Sequence, residues 1–303
     1  MPIRTVIFIF LACMVWEVSA TGLYPVLIGG RYGYVDKSGK TVIQAQFEFA
    51  QVFHGRSALV KENGKIGFID QRGHYLIKPR FQQGSYFSNG LAAVSEHGNQ
   101  YGYIDMQGKY VIKPDYYDAH PFTGPLAAVT QHKDRSAYFY IDRKGSKIIP
   151  GPYMFAGDFH HNLARVQKVI PQLADNDDDW KWGYIDTNGQ FKIPAEYERA
   201  GDFIDTITYV FRRGKYYLID IRGSIVAKSP YSIIFSPSEG LACVYKKRKY
   251  GYMNHHAKLV IPLRFDFCDY FQNGAAVVSS AGKYAVIDKS GHFIYRSDSV
   301  PWP

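Results

Sequence analysis

A five-residue motif that returns eight times constrains this chain more than any other feature. It reads Tyr32-Gly33-Tyr34-Val35-Asp36, Ile66-Gly67-Phe68-Ile69-Asp70, Tyr101-Gly102-Tyr103-Ile104-Asp105, Tyr138-Phe139-Tyr140-Ile141-Asp142, Trp182-Gly183-Tyr184-Ile185-Asp186, Tyr216-Tyr217-Leu218-Ile219-Asp220, Tyr250-Gly251-Tyr252-Met253-Asn254 and Tyr284-Ala285-Val286-Ile287-Asp288. Successive copies lie 34, 35, 37, 44, 34, 34 and 34 residues apart. Periods in this range belong to stacked supersecondary units, each of which buries its apolar face only against its neighbours. The sequence therefore predicts one repeat domain over residues 21–303, interrupted once at 167–179.

The third copy gives the anatomy of a unit. Gly90-Leu91-Ala92-Ala93-Val94, Tyr101 to Asp105 and Tyr110-Val111-Ile112-Lys113-Pro114 are short apolar or β-branched runs bounded by Gly or Pro, the sequence form of antiparallel strands. An Asp-x-x-Gly spacing follows the motif in seven of the eight copies, from Asp36/Gly39 to Asp288/Gly291. Asp bonds its own backbone two residues on, and Gly takes positive φ without a Cβ penalty, so this is turn chemistry. A carboxylate array is the competing reading, and the turn role explains both residues at once. After the third strand comes a segment such as Tyr116-Tyr117-Asp118-Ala119-His120-Pro121-Phe122, either a short fourth strand or an irregular wrap. Side chains alternate along the motif strand, with bulky groups on both faces and Gly102 expected to admit a neighbouring sheet closely.

An aromatic-Gly-Tyr-Ile-Asp strand, an Asp-x-x-Gly-Lys turn, Val-Ile-x-Pro, aromatic-x-x-Ala-x-x-Phe and Gly-Leu-Ala-x-Val together resemble the WG-repeat family of bacterial proteins, over essentially residues 23 to 296. Only Trp182-Gly183 keeps the literal pair; the fourth, sixth and eighth copies lose the Gly, and Asn254-His255-His256-Ala257 replaces the seventh turn. The resemblance implies β-structured interaction modules with no catalytic residues to carry over. The expected fold is all-β: eight tandem antiparallel β-meander repeats of about 36 residues. A propeller-like ring is favoured over an open β-repeat stack, because neither end carries the polar capping repeat that an open stack needs.

Residues 1–20 read as a secretion signal: Arg4, an apolar run from Val6 to Trp16, and the small-residue site Val18-Ser19-Ala20. No later apolar stretch is long enough to span a bilayer, so the mature chain is expected to be periplasmic or secreted without a transmembrane segment. Aromatics make up 16% of the chain and suit half-buried pleated surfaces. The net charge of +9 is distributed over turns rather than concentrated in the dense stripe that nucleic acid requires. Cys243 and Cys268 stand where other copies have Ala, which suits small buried residues, while an oxidising compartment also permits a disulfide between them.

Two sets of residues stand out as candidate sites. The turns Arg212-Arg213-Gly214-Lys215 and Lys246-Lys247-Arg248-Lys249 occupy equivalent hairpins of adjacent units. Arg212, Arg213, Lys215, Lys246, Lys247, Arg248 and Lys249 would form a basic rim for an anionic partner, or be ordinary solvated hairpin tips. The interruption carries Asp175, Asp177 and Asp179, whose oxygens could ligate Ca²⁺, but it lacks the central Gly and closing Glu of a calcium loop. The pairs His160-His161 and His255-His256 would point to opposite faces if in strands and so chelate poorly. No zinc spacing, nucleophile elbow or phosphate loop occurs, so no cofactor and no enzymatic activity are expected. The sequence points to an exported binding or scaffold protein in the cell envelope or outside the cell, with a protein partner first. A carbohydrate or cell-wall ligand is the alternative.

Overall fold

The computed structural model describes residues 23–36, 40–169, 180–233, 235–271, 274–281 and 283–296. The expected export signal, and most of the interruption, lie outside them. Among the described residues every regular element is a β-strand, and the strands form eight separate antiparallel sheets. The first holds Leu23–Ile28, Arg31–Asp36 and Thr41–Phe47. The second holds Phe49–Ala50, Ala58–Glu62, Lys65–Ile69 and Tyr75–Phe81, in that order. Six more four-stranded sheets follow the same order, opening on Gln83–Gly84, Asp118–Ala119, Phe155–Ala156, Arg199–Ala200, Ser232–Ile233 and Phe267–Cys268.

The segment after each third strand is thus a short fourth strand, and it belongs to the next sheet. Phe49–Ala50 pairs with Lys61 and Val60, and only Glu48 separates it from the end of the previous sheet at Phe47. Each of the first seven units is consequently laced to its successor by main-chain hydrogen bonds as well as by side chains. Proline in the third strands, at Pro79, Pro114 and Pro262, fits their place at a sheet edge, where the missing N–H costs no ladder bond.

The motif strand supplies the bond that shapes each unit. Its tyrosine is fully buried, and its hydroxyl donates to a main-chain carbonyl 17 residues on: Tyr34 to Gln51, Tyr103 to His120, Tyr140 to Gly157, Tyr184 to Gly201 and Tyr252 to Asp269, at 2.7–2.8 Å. The same rings rest against the phenylalanine two residues past that carbonyl, with centroids 4.7–5.0 Å apart from Tyr34–Phe53 to Tyr252–Phe271. Aromatic contact adds about 0.5–1.5 kcal/mol beyond burial. The hydroxyl satisfies the carbonyl of a residue whose own amide bonds the facing strand, as Gln51 N does to the Leu59 carbonyl at 2.9 Å. Burial pushes these phenols far above their usual pKa, so the donor stays protonated.

The motif glycine is required by its own sheet and not by the neighbouring one. A Cβ on Gly102 would lie 2.6 Å from the Ile112 carbonyl oxygen and 2.7 Å from the Pro114 nitrogen, and Gly33, Gly67, Gly183 and Gly251 meet the same part of their third strands. The reason is a bulge: pairing jumps from Tyr101↔Tyr116 to Tyr103↔Ile112, throwing the backbone of the third strand across the glycine. Where the glycine is lost, this strand changes with it. Tyr217 and Ala285 face third strands in unbroken register at that point, and Phe139 faces a strand in which Gly151 provides the room.

The Asp-x-x-Gly turn has both its expected role and a second one. Asp70 Oδ1 accepts from the Arg72 and His74 amides at 2.9 and 2.8 Å, and Asp105, Asp142, Asp186, Asp220 and Asp288 repeat the pattern. The turn glycine also packs on the preceding sheet: a Cβ at Gly73 would lie 3.0 Å from Ile43, and Gly108, Gly145, Gly189, Gly223 and Gly291 meet the equivalent isoleucine. The seventh turn has Ala257 there at φ 56°, and the isoleucine it would meet is replaced by Ala227.

Two outcomes follow. Gly102→Ala should destabilise by about 3 kcal/mol, the upper range for overpacking, because a methyl would meet rigid backbone; chemical denaturation with an unchanged midpoint would rule out the bulge account. Tyr184→Phe, which keeps the ring and removes the hydroxyl, should cost about 1–3 kcal/mol for the orphaned Gly201 carbonyl, read in the same way.

Candidate functional site

Antiparallel order places the Asp-x-x-Gly turns and the Phe-bearing connections at one end of the sheets and the first hairpin of each four-stranded sheet at the other. The predicted basic residues lie on the hairpin end. Arg212–Lys215 closes the hairpin of the sixth sheet and Lys246–Lys249 that of the seventh, at the same register. Arg213, Lys247 and Arg248 occupy the tips with φ between 51° and 63°, which projects their side chains into solvent. The backbone of such tips is held from below: Glu48 accepts from Gly64 N, Glu198 from Arg213 N and Asp266 from Ala281 N, at 2.7–3.0 Å.

The seven basic groups divide by what they touch. Arg212 pairs with Glu196 and Lys249 with Asp266, both at 2.6 Å, and Lys246 donates to the Pro230 carbonyl at 3.3 Å beneath its passage over Tyr231. Arg213, Lys215, Lys247 and Arg248 are exposed, and their side chains have no acidic partner among the described residues. Beneath each tip lies a half-buried cross-strand aromatic pair, Phe211–Tyr216 at 4.6 Å and Tyr245–Tyr250 at 4.8 Å. The equivalent positions are Lys61 and Ile66 in the second sheet and Gln167 and Trp182 in the fifth.

The connection end carries a different feature that the sequence reading missed. His120 Nδ1 lies 2.8 Å from Asp158 Oδ1, joining the connections of the fourth and fifth sheets. Arg165 Nε lies 2.7 Å from Asp202 Oδ1 as an ion pair, while its Nη1 donates to the Ala200 carbonyl at 2.7 Å, joining the fifth and sixth. The guanidinium also sits over Phe155 and Trp182. Aligning the connections on their phenylalanines would have placed His120 and Asp158 one unit apart beside the same carbonyl. His160-His161 occupy a turn closed between His160 and Leu163, and His255-His256 the seventh Asp-type turn, so neither pair lies in a strand. His255 Nε2 instead approaches Asp205 at 3.6 Å.

Cys243 and Cys268 form a disulfide between the seventh and eighth sheets, with Cα atoms 6.3 Å apart. It takes the place of the small-residue contact between the corresponding strands of other sheets. Asp175, Asp177 and Asp179 lie outside the described residues. Within the described residues no group of three or more His, Cys, Asp or Glu is arranged to hold a metal.

The His120 pair generates a pH dependence. Burial alone would lower the imidazole pKa, but the Asp158 bond and the charges of Asp158, Asp118 and Asp202 outweigh it and raise it. A raised folded-state pKa contributes stability that is complete below the unfolded value of about 6.5 and is lost as pH rises through the folded value. Melting temperature should therefore fall more steeply above neutral pH in the native chain than in His120→Gln, and parallel pH profiles would contradict the pairing.

A family model for the WG containing repeat matches residues 32–65, 66–99, 101–133, 138–168, 182–216 and 250–284. Its matches stop at residues 216 and 284, inside the motif strands of the sixth and eighth sheets, which have Leu218 and Val286 in place of Tyr and lack the wider bulge. No protein of curated function matches significantly. Among solved structures, a eukaryotic initiation factor is similar with a TM-score of 0.60 at 13% identity, over 93% of this chain and 86% of the other. Kluyveromyces lactis Hsv2 is similar at 0.51 and 10%, over 80% and 95%, and Citrobacter koseri AztD at 0.50 and 11%, over 90% and 93%. At such identities the likeness is one of fold, to β-propeller proteins. With six matched repeats covering well over half its length, the chain belongs to the WG containing repeat family.

Proposed function

We propose that this protein is an exported, non-catalytic binding scaffold whose eight sheets close into a propeller-like ring and whose hairpin rim on the sixth and seventh sheets engages a negatively charged partner of the cell envelope or extracellular space. The observation that carries the binding role is the set of four exposed cations, Arg213, Lys215, Lys247 and Arg248, presented on two equivalent tips without acidic partners. Such a patch concentrates an anionic ligand and speeds its capture. Ring closure is supported by the likeness to β-propellers across 93% of the chain and by the recurrent contact that joins successive sheets. Export is supported by the Cys243–Cys268 disulfide, since such bonds persist in oxidising compartments.

The full chain and a variant combining Arg213→Asn, Lys215→Gln, Lys247→Asn and Arg248→Asn are to be incubated with envelope extract. Asn suits positive φ, so charge is removed without straining the tips. An anionic component retained by the native chain in a salt-dependent way and released from the variant is the expected result. Equal retention by both chains would overturn the rim as the binding surface. For export, the intact mass of protein recovered from cells should correspond to cleavage after Ala20; an uncleaved cytosolic product would refute it.

A further inference from the structure

The two basic tips are not only adjacent but built alike. In each, a cross-strand aromatic pair lies immediately under the charged turn: Phe211↔Tyr216 below Arg212–Lys215, and Tyr245↔Tyr250 below Lys246–Lys249. All four rings are half-buried, so each keeps part of its surface in water. The surroundings differ in detail: Arg199 lies over Phe211 of the first pair at 5.8 Å, Lys246 of the second tip lies over Tyr231, outside the pair, at 5.3 Å, and Tyr216 and Tyr250 each rest partly on a hydrophobic core. The same composite therefore occurs twice, one unit apart. Packed sheets stand on the order of 10 Å apart, which sets the scale of the step between tips.

A composite repeated at a fixed step fits a ligand that is itself repetitive. We infer that the rim takes a linear acidic polysaccharide of uronate type, with Arg213 and Lys215 on one tip and Lys247 and Arg248 on the next holding successive carboxylates while the exposed faces of the aromatic pairs pack against the sugar rings between them. This rests on the rim being the binding surface, as proposed above, and names its ligand. Arginine and lysine supply charge-assisted hydrogen bonds to carboxylate, and amphipathic tyrosine rings offer an apolar body with a polar tip. A folded acidic protein would match the charge but gives no reason for the aromatic pair to recur with it. Nucleic acid is disfavoured because the basic charge of the chain is spread over turns rather than gathered in a dense stripe.

The test is calorimetric titration of the full chain with polygalacturonate and with neutral dextran, at two salt concentrations. Two variants separate charge from stacking: the four-residue Asn/Gln variant of the tips, and Tyr216→Leu combined with Tyr245→Leu, which keeps every cation. Melting curves and the far-ultraviolet spectrum confirm that both remain folded. The expected result is salt-sensitive binding of polygalacturonate, no binding of dextran, a loss of at least about tenfold in the charge variant, and a several-fold loss in the aromatic variant. Unaltered affinity in the aromatic variant would reduce the interaction to unspecific charge and overturn the inference. Absence of polygalacturonate binding, with an envelope component still released by the charge variant, would overturn the polysaccharide and leave the rim standing. Retention of that component by the charge variant would overturn both.

Discussion

The structure depends on the buried tyrosine hydroxyl of the motif strand and the carbonyl it holds 17 residues away. Tyr34, Tyr103, Tyr140, Tyr184 and Tyr252 each tie the centre of one sheet to the connection leading into the strands of the next. In these connections the amides of Gln51, His120, Gly157 and Gly201 bond carbonyls of the facing strand, and the tyrosine meets the carbonyl of the same residue; an unmet buried carbonyl costs about 1–3 kcal/mol. The aromatic face that the same ring offers to Phe53, Phe122, Phe159, Phe203 or Phe271 adds packing at the same point. One residue type thus solves a polar and an apolar problem together. In the sixth unit Leu218 fills that position, and the surrounding chain departs from the pattern in step, with a straighter third strand and Ala227 for the usual isoleucine.

These compensations show how the repeats differ without ceasing to pack. Losing the motif glycine removes the bulge, as at Tyr217 and Ala285, or moves a glycine to the facing strand, as at Gly151. Losing the turn glycine at Ala257 goes with losing the isoleucine across the sheet interface. Each unit is a set of paired choices, half of them made on the neighbouring unit. At the hairpin ends Arg213, Lys215, Lys247 and Arg248 are exposed, and these tips carry the charge and aromatic groups proposed for binding.

Much of this was legible in the sequence, and what was not has a common cause. Strand and turn positions could be read because their determinants are local: period-two alternation in Tyr101 to Asp105, and an aspartate bonding amides two and four residues on at Asp105. The basic tips could be placed on equivalent hairpins because the period alone relates them. What the sequence obscured was which surface each residue faces. Alternation along the motif strand predicts that Gly102 faces a neighbouring sheet, whereas it faces its own bulged strand. The connection after the third strand could be strand or wrap until its pairing with the next sheet was seen. His120 with Asp158, and Cys243 with Cys268, are meetings across a sheet interface, where separations of 38 and 25 residues carry no geometric information without the packing.

The central claim is that neighbouring units are fitted to each other, turn against strand, and a double-mutant cycle at the exceptional interface tests it most directly. Ala227→Ile restores the isoleucine of other units, and Ala257→Gly restores the turn glycine that accommodates it. Measured by chemical denaturation, Ala227→Ile alone should destabilise by overpacking against the Ala257 methyl. The combined variant should recover stability, with a coupling of about 1 kcal/mol or more, in the range for residues in contact. Simple additivity of the two changes would contradict the account.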